Sequence, residues 1–269
     1  MCDHCVIESV RERMLSRRDL FSAAAGAAAA ATVTATPAIA GAHGGAVDMT
    51  YTLDGAFPTW SGPPGIIISE LARFSDSGFN AKLLTIGEHT GTHIDAPLHF
   101  SADGQSVDEI PVENLVCPLC VIDIREKAAA EDDATVTPDD LAAWIAANGP
   151  IPDGACVAMN SGWEAHVATS KFRNIDDNGV QHYPGFHIEA AQMLIEETGA
   201  VGLAADTLSL DIGASQTFET HYAWLPTNRW GIENIANIDA VPAAGATLVV
   251  GAPKHRGGSG GPARVIALV

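Results

Sequence analysis

Glu88-His89-Thr90-Gly91-Thr92-His93-Ile94-Asp95-Ala96-Pro97-Leu98-His99-Phe100 gathers three histidines and one aspartate within eleven residues. Imidazole nitrogen and carboxylate oxygen are the donors that borderline divalent metals favour. Gly91 and Pro97 interrupt regular structure, so the segment reads as a turn and loop behind a strand at 82–86. His93 and Asp95 stand two apart and point the same way wherever the chain is extended. His89 and His99 flank that pair, close enough in sequence to close around the same ion. The plain alternative is a histidine-bearing loop with no ion, and one histidine alone would read that way. Three histidines and an aspartate about a glycine turn favour the metal. A complete site needs donors from farther along. His221 and Glu233 are the best candidates by residue type, in segments that read as irregular and carry aromatic neighbours.

Outward from this stretch, short runs rich in Val, Ile and Leu read as strands at 66–69, 82–86, 119–124, 155–159, 201–205, 247–250 and 264–268. Thr137-Pro138-Asp139-Asp140 opens a helix with a cap, a proline at the first helical position and acids in the first turn, and Asn148-Gly149 stops it. A second helix spans 187–198 and ends at Gly199. The alternation predicts one mixed α/β domain over 41–269, with enough apolar sequence for a large core.

Residues 1–40 read differently. Ser16-Arg17-Arg18-Asp19-Leu20-Phe21 is a twin-arginine pattern, an alanine-rich stretch follows, and Ala38-Ile39-Ala40 offers a cleavage site. The order predicts a twin-arginine export signal, a periplasmic destination and the export machinery as a partner of the precursor. The alanine-rich stretch is too short and too broken by Thr and Pro37 for a membrane anchor. The Cys2, His4 and Cys5 cluster reads as chance proximity within this leader. The leader carries four acidic and four basic residues. The rest therefore keeps all of the net charge of -19 that 33 acids and 14 bases give the chain. Such a surface excludes nucleic acid and anionic membrane as partners, because both call for clustered Lys and Arg. Cys117-Pro-Leu-Cys120 has redox-motif spacing but runs into a strand, not a helix. It reads as structural, with a disulfide in an oxidising compartment as one option. Cys156 adds an odd thiol. The glycine-rich 257–261 lacks the lysine and hydroxyl residue of a phosphate loop and reads as a flexible turn near the site.

The stretch H-T-G-T-H-x-D-x-P-x-H-F resembles the signature of the cyclase-like metal hydrolases, which include bacterial kynurenine formamidase and isatin hydrolase. The resemblance extends in order over roughly residues 50–269. Trp60 resembles the family's early tryptophan, Ser161-Gly162-Trp163 its T-G-W, and Pro184-Gly185-Phe186 its P-G turn. Asp206-Thr207-Leu208-Ser209-Leu210-Asp211 resembles its D-T-x-S-x-D, His221 and Glu233 its late pair, and Pro253-Lys254 with the run through Arg264 its close. Departures are Asn160-Ser161 before Gly-Trp, Lys254 directly after Pro253, and the leader itself.

The resemblance implies a swivelling β/β/α fold and a homodimer or homotetramer. It implies that His89, His93 and Asp95 bind one divalent ion, that Asp95 and Glu233 bridge to a second completed by His221, and that His99 is the general acid/base. Manganese or zinc, as one or two ions, is the implied cofactor. Isatin hydrolases are similar but look mononuclear, with Gln in place of Glu233, so the carboxylate here leans towards two. Trp60 is expected to wall an aryl group, with His182 and Phe186 as weaker lining candidates. Asp206 and Asp211 are expected to hold loops and ligands in place. The expected reaction is hydrolysis of an amide, an N-formyl aryl amine such as formylkynurenine or a cyclic amide such as isatin. Alternatives are a cyclase or lyase working through an enolate, and a non-catalytic metal-binding protein.

Overall fold

The computed structural model describes residues 45–269. The leader reading over 1–40 and the Cys2, His4 and Cys5 cluster lie outside the described residues. Thirteen strands are described: β1 (Ala46–Asp48), β2 (Ile66–Ala72), β3 (Ala81–Ile86), β4 (His93–Asp95), β5 (Val116–Asp123), β6 (Thr135–Val136), β7 (Cys156–Asn160), β8 (Gly185–Phe186), β9 (Gly202–Ala205), β10 (Trp230–Glu233), β11 (Ala246–Gly251), β12 (Gly260–Pro262) and β13 (Arg264–Leu268). The helices are α1 (Phe74–Ser77), α2 (Arg125–Ala130), α3 (Pro138–Asn148), α4 (Ile188–Glu197) and α5 (Glu219–Trp224).

Nine strands form one mixed sheet in the order β1-β13-β11-β5-β7-β9-β10-β4-β12. Its centre, β5-β7-β9-β10, is parallel, and both flanks are antiparallel. Every residue of β7 and β9 is buried, as expected of parallel strands covered on both faces, whose sequences run apolar without alternation. One face packs under the helices through Ile122, Leu141, Trp144, Leu194 and Trp224. The other face joins Ile94 and Ile232 to Leu248 and Val265, strands from opposite ends of the order, so the sheet curls around this second core.

All seven expected strands and both expected helices are present. At the start of α3 the Asp140 carboxylate accepts from both the backbone N and the hydroxyl of Thr137, each at 2.7 Å, and pairs with Lys127 Nζ at 2.6 Å. Those bonds give the chain a reason to turn helical there. β4, β10 and β12 are three or four residues long, too short for a periodic signal, and they carry the site. β10 contains Gly231, and its Trp230 lies where any side chain on Gly202 of β9 would collide with the indole ring. Glycine is required at Gly202 by that close approach, not by its dihedral angles.

The disulfide option for Cys117 and Cys120 is corrected. All three described cysteines are buried and free. Residues three apart on β5 face opposite sides of the sheet, and Cys117 belongs to one core while Cys120 belongs to the other. Burial pushes both thiols up to about 12, the reverse of a reactive cysteine. Among the described residues no helix is long and apolar enough to cross a membrane.

Candidate functional site

The quoted stretch is only partly a loop. Its middle, β4, is held between β10 and β12, with His93 opposite Glu233 and Asp95 opposite both Gly231 and Gly260. The alternation of an extended chain then puts the His93 and Asp95 side chains on one side. His93 Nε2 lies 3.3 Å from Asp95 Oδ1 and 3.3 Å from Glu233 Oε2. His221 Nε2 lies 3.1 Å from Glu233 Oε1 and 3.5 Å from Asp95 Oδ2, and His89 Nδ1 lies 2.7 Å from Asp95 Oδ1. His221 and Glu233 do not sit in irregular segments as their sequence reads. They belong to α5 and β10, elements too short to announce themselves. All three histidines come within 3.5 Å of Asp95, and His93 and His221 also within 3.3 Å of Glu233.

The rear of each ring is held as well. His93 Nδ1 is 2.8 Å from the Gly91 carbonyl, which can only accept, so this nitrogen carries the proton. His221 Nδ1 meets Asp211 Oδ2 at 2.5 Å, and Asp211 also accepts from the backbone N–H of Thr220 at 2.7 Å. His89 Nε2 meets Ser259 Oγ at 3.0 Å, and that hydroxyl donates to Glu88 Oε2 at 2.5 Å. The glycine-rich run is therefore tied down, contrary to a flexible turn. β12 pairs with β4, and a Cβ on Gly260 would meet the His89 ring at 2.8 Å. Asp206 accepts from Ser161 Oγ at 2.7 Å and from the Trp163 backbone N–H at 3.1 Å, bracing the turn after β7.

Asp95 is 0% exposed, His93 2%, His221 3% and Glu233 7%. Burial alone would push His93 down, yet the close approach of Asp95 and the charges of Asp95 and Glu233 lift it to about 9. His221 is lifted likewise by Asp211, Asp95 and Glu233, against burial. The two carboxylates diverge. Burial works to raise Asp95, but the imidazoles of His221, His89 and His93 close beside it hold it well below the usual range. Burial and the Asp95 charge raise Glu233. Despite these contacts, His93 Nε2 and Asp95 Oδ2 remain buried without a hydrogen-bond partner. Two buried carboxylates, three inward nitrogens and unpaired atoms at their meeting point fit a divalent cation, which supplies the positive charge that protonated imidazoles otherwise must. One His93, Asp95 and Glu233 oxygen or nitrogen each lies within 4.8 Å of the others, as does one atom each of His89, Asp95 and His99.

His99 stacks on His89, ring centroids 3.7 Å apart, at the edge of this cluster. Burial drives its imidazole down to about 4, so the ring is neutral at ordinary pH, not half-titrated near neutrality as an exposed histidine is. It borders a cavity of about 430 Å³ that also exposes His93, His221 and Glu233 and is walled by Trp60, Phe100, Leu208 and Phe218. Trp60 leans against Phe218 at 6.2 Å, and Phe100 lies 5.7 Å from Phe218 and 4.6 Å from His221. Phe100 and Phe218 escape a reading of the sequence. Their signal is only adjacency, one beside His99 and one three residues before His221. Phe218 holds φ +51, a left-handed conformation rare for a bulky residue, and it is this bend that begins α5.

Two expected lining residues are not there. Phe186 is 2% exposed in the helix-side core, and its carbonyl accepts from Thr220 Oγ1 at 2.9 Å. It braces α5 from behind, because Gly185 lets β8 lie flat on the Asp211–Ile212 backbone. His182 pairs with Asp133 Oδ2 at 2.5 Å, outside the cavity lining.

The Cyclase family model matches residues 47–212. An isatin hydrolase of Roseibium aggregatum is 32% identical over 218 residues, 77% of this chain and 82% of that protein. A kynurenine formamidase of Salinibacter ruber is 26% identical over 222 residues, 82% of this chain and 95% of that protein. The solved isatin hydrolase A of Ralstonia solanacearum superposes with a TM-score of 0.80 at 36% identity, covering 90% of this chain and all of that one. With its curled α/β sheet and its convergent His, Asp and Glu side chains, the chain belongs to the cyclase family of metal-dependent hydrolases.

Proposed function

We propose that this chain hydrolyses the C–N bond of a small aryl amide, an N-formyl aryl amine such as formylkynurenine or a cyclic amide such as isatin. One observation carries the reading: a half-buried His99, stacked on His89, stands where an aromatic-walled cavity meets the cluster of His89, His93, Asp95, His221 and Glu233. Those five residues would hold manganese or zinc, as one ion or two. A bound ion supplies a Lewis acid that polarises the substrate carbonyl and acidifies water. His99, being neutral, accepts the proton of the attacking water and returns it to the leaving nitrogen. Trp60, Phe100 and Phe218 clamp the aryl ring and keep bulk water off the carbonyl. Asp211 fixes the His221 tautomer, so that Nε2 keeps its lone pair inward. The test is a panel of isatin and N-formyl aryl amines with manganese- and zinc-loaded protein in ¹⁸O water. Hydrolysis places one solvent oxygen in the acid product, whereas an elimination or ring closure places none.

Three expectations belong to this reading. Ser259→Ala frees the outer nitrogen of His89 and lowers metal affinity by about 10–100-fold, read by competition with a chromogenic chelator. Stripping the metal abolishes turnover and lowers the melting temperature. Saturation at 100 times Kd contributes about 2.7 kcal/mol, or roughly 5–10 °C for a domain of this size, and scanning calorimetry with and without metal measures it. The homo-oligomer, the 41–269 hydrolase domain and the twin-arginine route also belong here. Replacing Arg17 and Arg18 together by Lys leaves uncleaved precursor in the cytoplasmic fraction, where the parent chain is cleaved and periplasmic.

A further inference from the structure

Trp60 lies on the irregular segment between β1 and β2, its indole 47% exposed and leaning on Phe218. The turn around it is partly self-braced: Thr59 Oγ1 donates to the Gly62 carbonyl at 2.7 Å, and the Gly62 N–H donates to the Thr59 carbonyl at 3.0 Å. The Trp60 carbonyl takes its donors from elsewhere. Arg173 Nη2 donates to it at 2.9 Å and Gln181 Nε2 at 3.1 Å. Gly62 holds φ +91, and a Cβ there would sit 3.2 Å from Arg173 Nη1, so glycine leaves the guanidinium room against the turn. Both donors come from one small hairpin. Ile175 bridges Gln181, Asn174 and His182 each donate to the other's carbonyl, and Asp176 Oδ1 accepts the Val180 N–H at the tip. The base of this hairpin is anchored to the turn after α2. Asp132 accepts from Lys171 Nζ at 2.7 Å and from Asn174 Nδ2 at 2.8 Å, and Asp133 pairs with His182 Nδ1 at 2.5 Å.

We propose that Arg173 and Gln181 are positioning residues: they fix the Trp60 carbonyl and so set the indole against the aryl ring of the substrate. The assignment rests on the aryl-amide reading above. Charge is the first support. Acids outnumber bases 33 to 14 in the chain, and ion pairs engage Arg73, Lys82, Arg125, Lys127, Lys171 and Arg264, yet among the described residues Arg173 has none. Its one hydrogen bond there goes to the Trp60 carbonyl, and its Nε is buried without a partner. A bond from a guanidinium is about twice as strong as one between neutral groups. Burial is the second support. Gln181 is 9% exposed, and its Oε1 also lacks a partner. Polar atoms buried without partners cost stability, so packing alone does not account for a guanidinium and an amide meeting on one carbonyl. Departures of that kind gather at functional sites. Neither side chain lines the cavity, so both act through Trp60. An indole fixed before the substrate arrives loses less freedom on binding, which strengthens binding of the ring. The chemistry belongs to β4, β10 and α5 and is left as it is.

The test uses the full chain loaded with manganese, with isatin and an N-formyl aryl amine as substrates. Arg173→Met and Gln181→Met keep most of the bulk of each side chain and remove its donors. Each is expected to raise KM about 10-fold, the size of one aromatic contact or one hydrogen bond, with kcat within about two-fold and metal content at the parent value. Arg173→Lys keeps a charged donor and should recover much of the loss. A double-mutant cycle identifies the route: once Trp60→Ala has removed the indole, Arg173→Met and Gln181→Met should raise KM no further. Fluorescence gives a readout that needs no turnover. Trp60 is the exposed indole, whereas Trp144, Trp163, Trp224 and Trp230 are at most 7% exposed. Acrylamide quenching and time-resolved anisotropy therefore report Trp60. Both methionine variants should show stronger quenching and a new fast anisotropy component, and neither change should occur in a Trp60→Phe background. KM effects that add to that of Trp60→Ala, or a fall in kcat at constant KM, overturn the proposal. If no amide is turned over, the aryl-amide reading fails by itself, and the fluorescence still decides the positioning: a Trp60 signal unchanged in both variants overturns it.

Discussion

His99→Ala is expected to lower kcat by about 10²–10⁴-fold, the span of general acid/base catalysis, while metal content stays at the parent value. The split follows from position. His99 stacks on His89 but makes none of the short contacts that join His93, Asp95, His221 and Glu233. Burial keeps it neutral by lowering it to about 4, and a bound cation nearby pushes the same way. A neutral ring is a proton acceptor first, so the step it serves is removal of the proton from water, with donation to nitrogen following. Elemental analysis beside steady-state rates decides the matter. Full activity in His99→Ala removes the residue from the chemistry, and loss of metal reassigns it as a ligand.

His93→Ala is expected to empty the site. Its Nε2 faces both carboxylates at 3.3 Å, and without it Asp95 and Glu233 oppose each other in a buried space with one donor fewer. Metal affinity should fall by more than the 10–100-fold typical of an outer partner, and turnover should vanish with it. A linked pH effect follows in the metal-free protein. His93 is raised from 6.5 to about 9 on folding, so its protonated form stabilises the native state. That contribution is complete below about 6.5 and is lost as pH rises towards 9. Metal binding displaces the same proton, so metal affinity should climb over the same interval. Denaturant titrations of metal-free protein at pH 6 and 9 test the first sign, and chelator competition at both pH values tests the second. A metal-free protein more stable at pH 9 contradicts the first.

Much of this was legible without a fold. The spacing of His93 and Asp95 is meaningful only on an extended chain, and β4 is extended. The capped start at Thr137 and the apolar runs at 155–159 and 201–205 are local signals, and each element stands where its signal lies. His221 and Glu233 were legible by residue type and resemblance but not by local structure, because α5 and β10 are too short for periodicity. His182 and Phe186 show the converse. A polar ring and an aromatic beside a Pro-Gly turn read as cavity lining, but β8 lies flat against the Asp211–Ile212 backbone and carries Phe186 into the core instead.

The sequence by itself determined the chemistry available: imidazoles and carboxylates of the right kind, a capped helix and central strands apolar throughout. Only the tertiary structure decided which of these meet. Glu233 reaches His93 across 140 residues because β10 pairs with β4, and Ser259 reaches His89 because β12 closes the other edge. Cys117 and Cys120, three residues apart, are separated by the sheet itself. Local signals are set by neighbours along the chain, whereas a site of converging charges is set by strand pairing. Pairing depends on which distant strands bury one another, and that is a property of the whole core.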